Sequence, residues 1–293
     1  MAHDVNDPLS RAVIVNALWQ EVRDAQLRVD EYLQYVIRNS NLDDTALLTQ
    51  MHNTAVQAVK QYVPSAYREA LASVLINAGM ETIAKYSEDE DRGMIWRHTI
   101  AAIAPFAPQE VQKIRQLLSE TADQELRWEL LGAVAALNAL FPDELTAELA
   151  KTSSAQDRVA HLRAVSSIPG TQHETLSELL NPDARYSNLE IGALAAGFTA
   201  ATTPAQARAA LPDFFNRIDS IWAVRSQEIA ERIIYGIFPR TVIALENPDA
   251  ELDVQRSARL WLEHGKHEPA LMKIVKDCLD DSYRSARAQM FNA

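Results

Sequence analysis

The chain has 293 residues, of which 47% are hydrophobic, 7% aromatic and 23% charged, which is enough for a large core and excludes a disordered chain. Its net charge of -12 disfavours nucleic acid and anionic membranes as partners, because both need a basic protein face. The single cysteine, Cys278, cannot form a disulfide within the chain, and this favours a reducing compartment.

The start of the chain, MAHDVNDPLS, lacks the charged segment and apolar run of a signal peptide. No apolar run approaches the roughly 18 residues that a membrane-spanning helix needs. We therefore expect a soluble, cytoplasmic protein that binds neither nucleic acid nor a membrane.

The first predicted helix begins near Pro8, a residue type that suits the first helical position, after Asp7 as its N-cap. Its apolar residues, such as Leu9, Val13 and Trp19, fall nearly all round the helix and do not form one stripe. A helix that is apolar on several sides is expected to have neighbours on several sides.

The rest of the chain shows the 3.6-residue period of helices and no clean alternation of a strand. Prolines mark short breaks between the helices, which is typical of antiparallel helix pairs connected in series. Helix starts are predicted at Pro8, Asp30, Asp43, Ser65, Asp91, Pro108, Asp123, Pro142, Ala155, Thr171, Asn188, Pro204, Asp219, Asp249, His267 and Asp281.

A weak internal repeat supports this interpretation, because RAVIVNALW from Arg11 and RWELLGAVA from Arg127 share a hydrophobic pattern. We predict an all-α fold in which antiparallel helix pairs stack as a HEAT- or armadillo-like superhelix. No long linker divides the chain, so we expect a single helical-repeat domain over residues 1–293. The acidic run SEDED, from Ser87 to Asp91, is interpreted as a solvated loop and N-cap.

The motifs of several enzyme classes are missing from the sequence. Glycines are too widely spaced for a dinucleotide-binding loop or a nucleophile elbow. The zinc motif His-Glu-x-x-His fails twice, with Ser177 in place of the second histidine in HETLS and Leu271 in HEPAL. The pair His264 and His267 in HGKH is interpreted as a solvated helix end. We find no catalytic constellation and no metal-binding or cofactor-binding residues.

The tryptophans lie in apolar helical stretches and are expected to pack in the core. Arginines near helix ends, such as Arg23, are expected to pair within the helix or between repeats.

Four segments, in the same order, resemble actinobacterial aminopeptidase N, of the gluzincin metalloaminopeptidase family. The first is DPLSRAVIVNALWQEVRDAQLRVDEYLQYVIRN, with its Pro-Leu-x-Arg-Ala, Trp and Arg-Asp-Ala pattern. ADQELRWELLGAVAALN resembles a Leu-Arg-Trp-x-Leu-Leu helix, and LDDSYRSARAQ resembles the final helix. FFNRIDSIWAVRSQEIAERIIYGIFP resembles a Trp-x-x-Arg-x-x-Glu-x-Ala helix, with Trp222, Arg225, Glu228 and Ala230 in those places.

The resemblance implies a C-terminal helical domain, like that of the endoplasmic-reticulum aminopeptidases, with the catalytic and β domains absent. Such a domain caps the catalytic cleft and contacts peptide substrate, so its implied partners are an aminopeptidase catalytic domain and a peptide. Zinc is expected only in the absent catalytic domain. The first helix lies some way into the family's domain, and earlier helices or the preceding domain are expected to complete its cover.

Candidate peptide-binding residues, chosen by chemistry and resemblance, are Trp19, Arg23, Arg127, Trp128, Trp222 and Arg225. Three hypotheses remain open. The chain is the C-terminal domain of an aminopeptidase N-like zinc metallopeptidase, or a stand-alone helical-repeat scaffold that binds another protein, or an enzyme with an unrecognised site. The missing zinc motif predicts a chain that is inactive alone.

Overall fold

The computed structural model describes residues 7–85, 90–141, 143–152, 154–238 and 253–293. These residues contain α-helices and short 3₁₀ and π turns and no strand, which confirms the predicted all-α class. The helices are α1 (Pro8–Arg23), α2 (Val29–Arg38), α3 (Thr45–Gln57), α4 (Ser65–Lys85), α5 (Glu90–Ile103), α6 (Val111–Glu120), α7 (Gln124–Ala136), α8 (Glu144–Leu149), α9 (Ala155–Ser166), α10 (Gln172–Leu179), α11 (Asn188–Ala201), α12 (Pro204–Val224), α13 (Gln227–Ile237), α14 (Asp253–Glu263) and α15 (Pro269–Phe291).

Capping chemistry explains most of the helix starts. The side chains of Asp7 and Asp123 each accept a hydrogen bond at 2.8 Å from the backbone N–H three residues later. Ser187 and Thr203 form full capping boxes at the starts of α11 and α12. Nearly all of the predicted starts that lie in the described residues are confirmed to within three residues.

Two predicted starts are wrong, because Asp219 lies inside α12 and Asp281 lies inside α15. Neither is preceded by a proline or glycine break, and the buried residues Ile218 and Cys278 before them are followed in the same helices by the buried Ile221 and Ala288. The start of α13 was missed, although Ser226 stands in its N-cap position.

Two predicted helix starts and most of the predicted acidic loop fall outside the residues that the structure describes. The predicted starts at Pro142 and Asp249 lie outside the described residues, and so does the SEDED run up to residue 89. The helices nearest to the two starts, α8 and α14, are described from Glu144 and Asp253.

The described residues group into two compact units. Unit 1 consists of residues 7–114, apart from 86–89, together with 284–293. Within it, α5 packs against α3 and α4, and α1 packs against α2 and α3. Trp19 of α1 is buried against Tyr32 and Tyr62, with ring centroids 5.7 and 5.2 Å away. Large aromatic side chains therefore fill much of this core.

Helix α1 is covered only in part within unit 1. Val15, Trp19 and Val22 are buried, while Leu9 is 72% exposed and Val13 is 61% exposed. The sequence pattern predicted neighbours on several sides, and the structure shows them on the side of α2 and α3. The cover expected from earlier helices or a preceding domain stays a prediction.

Unit 2 consists of the described residues in 115–238 and 253–283. Helix α9 packs against α7 and α11, and α11 packs in turn against α13. A second row contains α12, which packs against α10 and α14, and α10 and α12 also contact the first row. This two-row packing is typical of helix pairs in series, while the HEAT- or armadillo-like superhelix and the single domain stay predictions.

Across the described part of the chain, every helix is too short or too polar to cross a lipid bilayer.

Candidate functional site

A groove with a volume of about 390 Å³ opens between α7, α9 and α11 in unit 2. All of its lining positions lie in the first three turns of these helices. Its base is made of small side chains, which leave room above the helix backbones. The small residues are Ala160, Gly192, Ala193 and Ala196.

A close helix contact stands beside this groove. A Cβ added to Gly197 of α11 would lie 2.5 Å from the carbonyl oxygen of Arg163 in α9. Only glycine lets the two helices approach so closely. The groove lies on the N-terminal side of this contact, so the tight crossing positions the walls on α9 and α11.

Trp128 and Asp157 join the walls formed by α7 and α9. The indole Nε1 of Trp128 donates to Asp157 Oδ1 at 2.6 Å, and both residues line the groove. Asp157 also accepts hydrogen bonds from the hydroxyls of Ser154 and Thr152. These donors, with Ser154 first and then Thr152, hold the pKa of Asp157 below its usual value. The groove therefore contains a carboxylate that stays ionised and fixed in place.

The groove has more acidic than basic groups. Glu125 and Glu129 of α7 line it together with Asp157, and Arg163 is the basic residue among its lining residues. Leu189 of α11, 69% exposed, adds an apolar edge. The site thus combines negative charge, an indole and aliphatic surface.

Of the six candidate peptide-binding residues, Trp128 lines this groove. Its neighbour Arg127 is engaged elsewhere: Nε and Nη2 donate to the two carboxylate oxygens of Glu148 at 2.9 and 2.8 Å. Nη1 donates to the carbonyl oxygens of Leu118 and Thr121. The hydrogen bonds from Arg127 are the main reason that the pKa of Glu148 is lowered to about 2. This pair ties α7 to α8.

The other four candidates lie apart from the groove. In unit 1, Arg23 Nε donates to the hydroxyl of Tyr62 at 3.3 Å, next to the buried Trp19. In unit 2, Trp222 and Arg225 are half-buried near the end of α12, and Arg225 contacts the carbonyl oxygen of Pro182 at 3.5 Å. The peptide-binding role of all six residues stays a prediction.

The sequence could predict only in part which residues line the groove. Glu125 and Glu129 are four residues apart on one helix, with Trp128 between them, so a shared face on α7 was readable. Asp157, Arg163 and Leu189 belong to other helices. Sequence spacing carries no information on which faces of three separate helices meet.

Two smaller cavities lie in the same unit. One, of about 190 Å³, is lined by polar residues that include His173, Gln206 and Asp213. The other holds about 30 Å³, room for a single water, and is lined by apolar residues that include Phe198, Phe214 and Phe238. The groove offers the larger polar surface for a ligand.

The histidines of the incomplete zinc motifs and of HGKH lie in different surroundings. His173 is exposed on α10, and His264 is exposed with Nδ1 bonded to the carbonyl oxygen of Leu260. The solvated interpretation is wrong for His267, whose ring is largely buried between Trp261 and Asp219. Within the described ranges, no three histidine, cysteine or acidic side chains gather closely enough to hold a metal ion.

Comparison with known proteins shows what this chain is similar to. A model of the family described as the ERAP1-like C-terminal domain matches residues 1–281. Aminopeptidase N of Streptomyces lividans is 25% identical over 300 residues, an alignment that covers 99% of this chain. The alignment covers 34% of that relative, so the chain spans about a third of its length.

Proposed function

Because this chain belongs to the ERAP1-like C-terminal domain family, we propose that it serves an aminopeptidase N-like zinc metallopeptidase as its C-terminal domain. In this role it caps the catalytic cleft of its partner and contacts the peptide substrate, without catalytic residues of its own. The observation that carries the proposal is the family match over residues 1–281.

The greater length of the relative supports separate roles for this domain and for the rest of the enzyme. Most of the Streptomyces lividans aminopeptidase N lies outside the 34% that this chain matches. In the proposal, the zinc ion and the residues that hydrolyse the peptide bond belong to that other part. The described residues of this chain offer no cluster of three suitable ligands for zinc, so no catalytic step is assigned to them.

The α7–α9–α11 groove supports contact with a peptide. Its volume of about 390 Å³ falls in the range of small-ligand sites. Backbone and side-chain groups of an extended peptide would meet both polar residues, such as Gln156, and apolar ones, such as Val159 and Leu189. We assign the groove as the peptide-contacting surface of this domain.

The exposed face of α1 supports contact with the catalytic partner. Leu9 and Val13 are one helical turn apart and expose 72% and 61% of their surface. Contiguous exposed apolar side chains are favourable contact surfaces for another protein. We assign this face as part of the surface that meets the catalytic domain.

Reconstitution of peptidase activity tests the proposal. A zinc-loaded Streptomyces lividans aminopeptidase N, cut to remove the part that matches this chain, is mixed with increasing amounts of this chain. Hydrolysis of a leucine chromogenic amide and of a longer peptide is measured. We expect little hydrolysis of the longer peptide by either part alone and a saturable rise in the mixture.

A matched pair of variants tests the docking face. Val13→Glu places a charge on α1, and Val224→Glu does the same at a position that is 62% exposed in unit 2. Burying an unpaired carboxylate in an interface is costly, so Val13→Glu should weaken the stimulation by about tenfold or more. Val224→Glu should leave it unchanged.

Two outcomes of the reconstitution experiment would contradict the proposal. Absence of both stimulation and binding to the catalytic part would overturn the proposed function and favour the stand-alone protein-binding scaffold. Hydrolysis by the chain alone that a chelator abolishes would overturn the assignment of zinc to the partner.

A further inference from the structure

We propose that the α7–α9–α11 groove selects peptides that carry a lysine or arginine side chain. This inference rests on the proposed function, because it assumes that the groove contacts peptide, and it adds the chemical class of the peptide. It stands on the shape, the charges and the apolar surface of the groove.

The side-chain charges of the groove favour a cation. Glu125, Glu129 and Asp157 line it with negative charge, against the single positive charge of Arg163 among the lining residues. The N-termini of α7, α9 and α11 oppose this, with a positive partial charge of about half a unit each. The side-chain N-caps Asp123, Ser154 and Ser187 each accept a hydrogen bond from one of these N–H groups. The partial charges of helix ends act within the first turn and are screened by salt, so the full charges of the carboxylates dominate.

One of these charges is held in place. Asp157 is buried, and its carboxylate accepts hydrogen bonds from Trp128 Nε1, Thr152 and Ser154. All three donors are neutral, so they orient the carboxylate without cancelling its charge. A ligand cation in the groove therefore meets a preorganised negative group and pays no entropy to order it.

The apolar surface suits the long stem of a basic side chain. Lysine and arginine place a hydrocarbon stem on apolar surface and keep the charged head among polar groups. Leu189 and Val159 offer that surface. A small inorganic cation would use the carboxylates alone, whereas a lysine or arginine side chain uses both kinds of surface.

Direct binding of matched peptides tests the inference. Three short alanine–glutamine peptides carry the same neutral dye and differ at one central residue, which is lysine, norleucine or glutamate. Fluorescence anisotropy with the full chain should give the tightest binding for lysine and the weakest for glutamate. Exchange of lysine for glutamate should weaken binding by about tenfold, and added salt should weaken only the binding of the lysine peptide.

Two charge-reversal variants distinguish the effect of charges in the groove from the effect of the overall negative charge of the chain. Glu125→Lys changes a first-turn residue of α7 that lines the groove, and Glu174→Lys changes an exposed first-turn residue of α10 away from it. Glu125→Lys should weaken binding of the lysine peptide about tenfold, and Glu174→Lys should change it less than about twofold. If Glu125→Lys unfolds, Glu125→Gln should still weaken binding by about threefold.

Failure of this inference is distinguishable from failure of the proposed function. Equal affinity for the three peptides, preference for glutamate, equal effects of the two variants, or no binding at all would each overturn the charge selectivity of the groove. Reconstituted hydrolysis in the same preparations would leave the capping function standing. Selective binding of the lysine peptide without any reconstitution would support the groove and count against the capping function.

Discussion

Each unit contains a histidine packed on a tryptophan, with a glycine against the pair, but the two clusters are built differently. In unit 1, the rings of His52 and Trp96 meet edge to face at 4.4 Å. In unit 2, the rings of His267 and Trp261 stack at 3.6 Å with an angle of 25°. The same residue types thus serve a dry core in one unit and a polar helix junction in the other.

The cluster of unit 1 is closed to water. Thr99 donates to the carbonyl oxygen of Ile95, so it accepts the hydrogen bond from His52 Nδ1 at 2.8 Å. His52 Nε2 and Trp96 Nε1 are buried without a hydrogen-bond partner among the described residues. Desolvation lowers the pKa of His52 to about 4. The folded unit therefore requires a neutral imidazole.

In the cluster of unit 2, the ring nitrogens lie within hydrogen-bond distance of oxygen atoms. His267 Nδ1 lies 2.8 Å from Asp219 Oδ1, and Nε2 lies 2.8 Å from the carbonyl oxygen of Trp261. Trp261 Nε1 donates to the other carboxylate oxygen of Asp219 at 3.1 Å. Both ring nitrogens of His267 face acceptors, so the ring acts as a hydrogen-bonded bridge between α12 and the start of α15. A histidine–tryptophan contact by itself therefore does not reveal whether both ring nitrogens of the histidine have polar neighbours.

The largest expected effect is the response of the unit 1 cluster to acid. Since the pKa of His52 is lowered from 6.5 to about 4, the unfolded chain binds this proton more readily. The contribution of His52 to the unfolding free energy is complete above about pH 6.5 and falls as the pH drops towards 4. The loss should reach about 2 kcal/mol at pH 5 and about 3 kcal/mol at pH 4.

Urea unfolding at several pH values measures this loss against a variant. His52→Gln removes the titrating group, so the difference in pH dependence between the wild type and this variant isolates His52. His264→Gln, which changes an exposed histidine, serves as the control for the substitution itself. Equal pH dependence of wild type and His52→Gln between pH 7 and 4.5 would contradict the closed cluster.

A smaller effect is expected from the glycine beside Trp96. A Cβ at Gly79 would lie 2.6 Å from the Trp96 ring, so Gly79→Ala should destabilise the chain by about 1–3 kcal/mol. Gly132 is also inside a helix, but its added Cβ would lie 4.0 Å from Ala164 Cα. Gly132→Ala should instead stabilise the chain by about 0.5–1 kcal/mol, because alanine is the better helix former. Urea unfolding should therefore show changes of opposite sign in the free energy of unfolding for the two variants. A higher stability of Gly79→Ala would show that the α4–α5 contact is loose.

The smallest effect is expected at the junction of unit 2. Asp219→Asn replaces one of the two carboxylate oxygens that face His267 and Trp261 by an amide group and removes the negative charge. We expect a loss of about 1 kcal/mol and faster amide hydrogen exchange in α14 and at the start of α15. Asp213→Asn, an exposed change on the same helix, is the control. Unchanged exchange in α14 would mean that packing of the rings, and not Asp219, holds the junction.

Local sequence signals account for most of the fold that was predicted. Helical periodicity together with caps such as Asp7, Asp123 and Ser187 defines where most helices begin, because these interactions involve residues within one turn of each other. The ordered resemblance to the aminopeptidase family is likewise carried by residues along the chain, and the family match over residues 1–281 confirms it.

Tertiary contacts decide the rest. Asp219 has the sequence signature of a helix cap, yet it lies within α12 and contacts the side chains of residues more than 40 positions away. The groove is assembled from α7, α9 and α11, and Arg127 is bound to Glu148 while its neighbour Trp128 faces the groove. The sequence alone determined the helical class, most helix starts and the family. Only the packed structure decided which side chains share a groove and which arginines are engaged, because those depend on helix faces that meet across long stretches of chain.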